Sequence, residues 1–365
     1  KVEPFEGDAV RTMGHHIDEK SLYAASIFRN KSLISIDLRT SYGQDVIRRI
    51  IPKFDVLIEN FRPGGLERWG IGYEDLKKIN SRLVMARISG FGQTGPYSQR
   101  TGYGVIGEAL SGLRHVTGDP DRPPTRVGVS LTDYITGLYA AFGVVMSLLA
   151  RHKDGEGQSI DAALYECAFS FMEPHISAFD QLGVIANRTG SRLPGSTPNN
   201  LYETKDGYYV HITAMGNSLF KRLAEECMQQ PELVNDPRFL TPQDRSKNYA
   251  ELDELINTWT REIEVATLEN ILHTASVPGI RIFNMADIFK DPHYEAREAI
   301  TKVRDEEIGT VAMASPVPRL SRTPGRVRHP GKKVGEDTLK ILSELGGYSA
   351  DELKELEAKK IIYCG

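Results

Sequence analysis

Two places in the chain combine residue types that chemistry needs. One is Asp133, which stands at the start of a long uncharged helical pattern, after the approach Gly128-Val129-Ser130-Leu131-Thr132. Helix N-terminal amides and the helix dipole favour a carboxylate anion there. An ionised carboxylate at the active edge of a sheet can act as a nucleophile toward an activated acyl group. Asp133 also has a purely structural reading, because Ser130-x-x-Asp133 spells a capping box. The second place is the turn Glu59-Asn60-Phe61-Arg62-Pro63-Gly64-Gly65-Leu66-Glu67-Arg68. Its ring suits a nucleobase and its two arginines suit phosphates. Pro-Gly-Gly by itself is ordinary turn chemistry.

Other patterns are weaker. Gly102-x-Gly104-x-x-Gly107 has dinucleotide-binding spacing, but that motif follows a strand, and Tyr97-Ser98-Gln99-Arg100-Thr101 reads as a turn. Plain loop glycines are the preferred reading, with a nicotinamide-binding oxidoreductase as a distant alternative. The nine histidines are scattered, and the adjacent pair His15-His16 does not share a helix face. No metal site is expected. Neither a nucleophile elbow nor a phosphate-binding Walker loop occurs.

The elements that must position these residues alternate. Strands are expected at 32–38, 55–60, 82–89 and 159–164, with helices at about 42–51, 73–79, 131–152 and on to 182. Short apolar strands alternating with helices imply a parallel sheet with helices on its faces. Such sheets bind ligands in the loops beyond the strands' carboxyl ends, which is where the 59–68 turn falls. Residues 186–200, rich in Gly, Pro, Ser and Asn, read as a linker. A smaller region follows, with a strand at 206–213, helices at 217–228, 252–262 and 267–274, and a strand-like 279–283. Residues 303–333 read as irregular, and 335–362 as helical.

Composition sets the class. The chain has 365 residues, 40% hydrophobic and 26% charged, which fits a globular protein of two or three domains. A net charge of −4 argues against a nucleic-acid partner. The three cysteines are far apart, so no disulfide framework is expected and a reducing compartment is. Tyr134 to Ala150 carries no charge but falls short of the ~20 residues of a membrane span, so a buried core helix and no membrane association are expected. Lys1-Val2-Glu3-Pro4 has no signal-peptide character.

Taken in order, several segments resemble the family III CoA-transferases, the group of formyl-CoA transferase, carnitine CoA-transferase and the bile-acid-inducible enzymes. They are Lys1 to Glu3 with Gly7-Asp8 and Arg11, Asn30-Lys31-Ser32 with Asp37-Leu38, and Asp55 to Gly70. Ser89 to Pro96, Gly128 to Ala140, Gly155-x-Gly157-Gln158-x-Ile160-Asp161, Lys205 to Tyr208 and Ser321-x-Thr323-Pro324-Gly325 complete the set. Each is a weak signal alone, and their ordered set is highly specific. Members of the family open with a further strand and helix ahead of the segment that Lys1 matches.

The resemblance implies an α/β fold: a Rossmann-like large domain with a parallel sheet, a smaller inserted α+β domain, and an interlocked-ring homodimer. The large domain would take 1–185 and 315–365, the small one 200–290, with linkers at 186–199 and 291–314. The implied activity moves CoA between an acyl-CoA thioester and a free carboxylic acid, with Asp133 as nucleophile, through an aspartyl anhydride and an aspartyl-CoA thioester. Coenzyme A is then the co-substrate. The positions matching CoA-binding residues are Ile36, Arg39, Asn60, Phe61, Gly65, Arg68 and Tyr103. The implied location is cytoplasmic, or in a eukaryote the mitochondrial matrix or peroxisome. Two positions depart from the family pattern: Gly104 stands where an acidic residue is frequent, and Thr101 where a basic one sometimes occurs, with Arg100 adjacent. Racemases of the family carry a histidine where Tyr103 stands. Tyr103 therefore favours transfer and leaves an α-carbon racemase or epimerase of an acyl-CoA as the alternative. A proton-abstracting base works best with a pKa near neutrality, far from tyrosine's ~10.

Overall fold

The computed structural model describes all 365 residues. The chain divides into two compact units, Lys1–Gly107 with Ser130–Ala168 and Phe289–Gly365, and Glu108–Val129 with Phe169–Ile288. Residues 108–129 and 169–185, read from the sequence as part of the large domain, group with the second unit.

The first unit opens with β1 (Val2–Glu3) and the small hairpin β2 (His16–Ile17) and β3 (Lys20–Ser21), followed by helix α1 (Leu22–Ile27). Next come β4 (Ile34–Ile36) and α2 (Ser41–Ile50), then β5 (Val56–Glu59), α3 (Gly65–Arg68), α4 (Tyr73–Ile79) and β6 (Val84–Ser89). Helix α5 (Gly104–Leu110), helix α6 (Leu131–Asp154) and β7 (Ser159–Ala163) follow. β5, β6 and β7 make a wholly parallel sheet with β6 central, in the register Ile58 to Ala86 to Ile160. β1 pairs parallel with β4, whose other edge takes Ile362–Tyr363 antiparallel. The expected parallel sheet is therefore present, within a mixed α/β unit.

The apolar runs explain this arrangement. Leu83, Val84, Met85 and Ala86 are fully buried, as a central parallel strand covered on both faces requires. Val46, Ile47 and Ile50 put one face of α2 into the same core as Ile34, Ile36, Leu76 and Leu342. Two helices near the end of the chain, Thr338–Gly346 and Ala350–Ala358, confirm the helical period read there. The expected linker at 291–314 is not irregular. It contains an antiparallel hairpin, Ile300–Asp305 with Gly309–Ala314.

Helix α6 corrects another expectation. It packs on β6 and β7 through its small residues, and a Cβ at Gly143 would touch Ile160. Only Thr132, Ile135, Thr136, Ala140, Ser147 and Arg151 are buried along it. Leu138, Phe142, Val145 and Leu149 lie on the outer face and are exposed. Length and composition alone would let this helix cross a membrane, yet it lies along a sheet, and Arg151 near its end is buried and paired with Asp55 at 2.8 Å. It is half core, half open apolar surface.

The second unit has its own core. An antiparallel sheet orders Gly279–Arg281, Tyr209–Thr213 and Asn199–Glu203. The helices Tyr249–Thr260 and Val265–Thr274 and the segment Asn217–Cys227 cover it, burying Phe220, Phe239, Leu252, Ile256 and Leu268.

Candidate active site

Asp133 occupies the first turn of α6 and is the only acid there. The capping box does not form, since Ser130, the residue before the helix, makes no side-chain cap. The reciprocal capping box is therefore incomplete, while the favourable placement of an anion at a helix start remains. The carboxylate faces solvent.

The glycines of the 102–107 motif have a packing cause. A Cβ on Gly102 would lie 2.7 Å from Gly90 Cα, and one on Gly107 would lie 3.0 Å from Leu164 Cβ and 3.2 Å from Thr132 Cγ2. A Cβ on Gly104 would run into the Asp133 carboxylate, 2.7 Å from its Cγ. These glycines bring the start of α5 against the start of α6. No strand precedes them, so the dinucleotide motif lacks its context.

Tyr23, on α1, was not singled out from the sequence. Its phenol is pushed up by burial, then by a hydrogen bond with Tyr134 and by the charge of Asp133. It therefore lies near Tyr134 and Asp133 at the start of α6. Nothing local marks it, because 110 residues separate Tyr23 from Asp133.

The turn after β5 is built from beneath. Glu59 is buried and accepts hydrogen bonds from the Phe61 amide at 2.8 Å and from Arg87 Nε at 2.9 Å. Arg87 also pairs with Glu67 at 2.6 Å, tying the turn to β6 and α3. Burial raises the Glu59 carboxyl above the usual carboxylate range, although Arg87 and the Phe61 amide pull it down. Asn60, Phe61, Gly65 and Arg68 all belong to this turn. Phe61 is exposed and meets Trp69 edge-on at 5.4 Å. Gly65 is buried beneath Phe61, and Arg68 is exposed.

The loop after β6 leans on that turn. Ser89 Oγ accepts from the Gly92 amide at 3.0 Å, and Asp161 on β7 accepts from the Gln93 amide at 2.8 Å. Arg62 donates to the Thr101 hydroxyl, and Gln99 reaches the Pro63 carbonyl at 3.5 Å. Tyr103, 72% exposed, ends this loop next to Gly104 and thus next to Asp133. The structure therefore joins Asp133, Tyr103 and the Asn60–Arg68 turn at the carboxyl ends of β5 and β6.

Two expected positions belong to β4 and the turn after it, in the sheet formed with β1. Ile36 is 1% exposed in the core, so its side chain presents no surface to a ligand. Arg39 follows the other sheet and folds onto Asp37, at 2.8 Å and 3.0 Å. Arg188 donates to the His115 and Asp119 carbonyls, Arg192 stacks on Tyr249, and His211 contacts Asn199, so all three have structural partners. No group of three or more metal-ligating side chains converges.

Known proteins resemble the chain over nearly its whole length. Residues 1–338 match the family model described as CoA-transferase family III. The chain is 43% identical over 364 residues to the succinyl-CoA–D-citramalate CoA-transferase of Chloroflexus aurantiacus, covering 99% of this chain and 90% of that one. It is 31% identical to the human succinyl-CoA:glutarate CoA-transferase, covering 99% and 83%. A crystal structure of a CAIB/BAIF family protein from Brucella suis superposes with a TM-score of 0.82 at 33% identity, covering 94% and 90%. The chain belongs to CoA-transferase family III.

Proposed function

We propose that this enzyme moves CoA from an acyl-CoA thioester to a free carboxylic acid with Asp133 as the nucleophile. The observation that carries the reading is the Asp133 carboxylate at the solvent-facing start of α6, beside the loops of the parallel sheet's carboxyl edge. An Asp133 oxygen attacks the donor thioester carbonyl, and the CoA thiolate leaves, giving a mixed anhydride. The thiolate then attacks the Asp133 carbonyl carbon, releasing the donor acid and forming an aspartyl-CoA thioester. The acceptor carboxylate attacks that thioester and frees the thiolate again. Attack of the thiolate on the acceptor acyl carbon of the new anhydride yields the product acyl-CoA and restores Asp133. Each step uses an activated acyl group and a carboxylate or thiolate nucleophile.

The relatives named for succinyl-CoA, D-citramalate and glutarate support a dicarboxylic donor–acceptor pair. Tyr103 in place of the racemase histidine supports transfer rather than α-carbon proton exchange. The open apolar face of α6 supports a homodimer in which a second copy covers it. Incubation with succinyl-CoA and hydroxylamine is expected to inactivate the enzyme and to mark Asp133 as the hydroxamate by mass spectrometry. Asp133→Ala should lose transfer by at least about 1000-fold, since removal of a covalent nucleophile leaves only binding and positioning. Unchanged turnover in that variant, or deuterium entering the α-carbon without an acceptor acid, would overturn the reading.

A further inference from the structure

The start of α1 is braced against the loop before it. Ser21 Oγ donates to the Met13 carbonyl at 2.6 Å and accepts from the Ala24 amide at 3.1 Å. The Leu22 amide donates to the His15 carbonyl at 2.9 Å. Gly14 takes a left-handed φ of 75°, and a Cβ on it would lie 3.1 Å from Tyr23 Cβ. The loop backbone at Gly14 is therefore pressed against Tyr23, whose phenol hydrogen-bonds with Tyr134, the neighbour of Asp133.

The hydroxyls of Tyr23 and Tyr134 are neutral groups. An acceptor with two carboxylates uses one in the attack at Asp133 and must place the other, which calls for a cation or a strong donor. Most basic side chains of residues 11–20 are already engaged. Arg11 donates to Glu3 from Nε at 2.8 Å and from Nη2 at 2.9 Å, and to the Lys332 carbonyl at 3.0 Å. Lys20 pairs with Asp305 and Glu307. Both ring nitrogens of His16 lie 3.1 Å from carbonyl oxygens, of Gly14 and of Arg11. The His15 ring, in contrast, is exposed and has no hydrogen-bond or ion-pair partner.

We propose that His15 is a specificity residue: its imidazole binds the far carboxylate of a dicarboxylic substrate and so favours dicarboxylic over monocarboxylic acids. This rests on the reading of the enzyme as a CoA-transferase with Asp133 as nucleophile. Gly14 fixes where His15 leaves the backbone, and the His16 ring holds that turn closed. The imidazole is thus presented from a braced turn, which lowers the ordering cost of binding.

The test is steady-state transfer of CoA from saturating succinyl-CoA to glutarate and to pentanoate, by wild type, His15→Leu and His15→Gln. Leucine removes the polar atoms of the ring, and glutamine restores a donor. His15→Leu is expected to lower kcat/KM for glutarate about tenfold to a hundredfold, the order for a hydrogen bond to a charged group. His15→Gln should recover part of that loss, and kcat/KM for pentanoate should not fall in either variant. Unchanged kcat/KM for glutarate in His15→Leu, or an equal fall on pentanoate, would overturn the assignment. Failure of wild type to transfer CoA to either acid would instead remove the proposed transfer to free acids beneath it.

Discussion

Asp133 and Gly104 are best understood as one unit. The Asp133 carboxylate has room only because position 104 carries no side chain, and a Cβ there would meet it. Gly104→Ala is therefore expected to push the Asp133 carboxylate aside while leaving the loop arginines in place. Displacement of a reacting group by about 1 Å costs on the order of a hundredfold in rate. A kcat about a hundredfold lower with CoA affinity unchanged by calorimetry would bear this out. A variant with normal kcat would show that the contact is idle. Asp133 was legible from its residue type and its place before an uncharged helix. Gly104 was noticed only as a departure from a pattern. Its reason could not be read from the sequence, since 29 positions separate it from the group it accommodates.

At the scale of elements, the first unit is tied by contacts across very long sequence separations. Lys20 on the β2–β3 hairpin pairs with buried Asp305 at 2.6 Å and with Glu307 at 3.0 Å, both at the turn of the 300–314 hairpin. This pair anchors the segment that leads into α1 and Tyr23. Burial alone would raise the Asp305 carboxyl, but the hydrogen bonds from Lys20 and from the Glu307 and Ile308 amides outweigh it and lower it below the usual range. A carboxylate depressed in the folded state adds stability above its unfolded pKa of ~3.9 and loses it as pH falls through the folded value. Asp305→Asn should cost about 3 kcal/mol at pH 7, the order expected when one partner of a buried pair is removed. Urea midpoints of wild type and variant should converge below about pH 4. A gap that does not narrow at all as pH falls below about 4 would assign the loss to packing instead. The strand at 84–89 was legible because a central parallel strand covered on both faces is largely apolar, and those at 56–59 and 159–163 because short apolar runs are bounded by turn residues. The 300–314 hairpin was not legible. Its strands carry Lys302, Arg304 and Asp305, and its turn, Glu306-Glu307-Ile308, lacks the Asn-Gly or Asp-Gly signal.

For the molecule as a whole, the open apolar face of α6 is what supports the proposed homodimer. Leu138 is 73% exposed and Phe142 64%, with Val145 and Leu149 continuing the row. Contiguous apolar surface of this kind marks an interaction site. Leu138→Glu with Phe142→Glu is expected to halve the mass measured by sedimentation, from dimer to monomer, while circular dichroism keeps the helical content. An unchanged mass would leave this face without a partner copy. By itself, the sequence determined the alternation that makes a parallel sheet, the long helix with Asp133 near its start, the family, and the turn at 59–68, because these depend on local periodicity and on residue types at fixed spacing. Only the tertiary structure decided which arginines are already paired, that Tyr23 meets Tyr134 near Asp133, that Ile36 is core, and that α6 is open on one face. Each of those facts depends on which distant groups share a neighbourhood, and burial and charge pairing are set by neighbours in space rather than by neighbours along the chain.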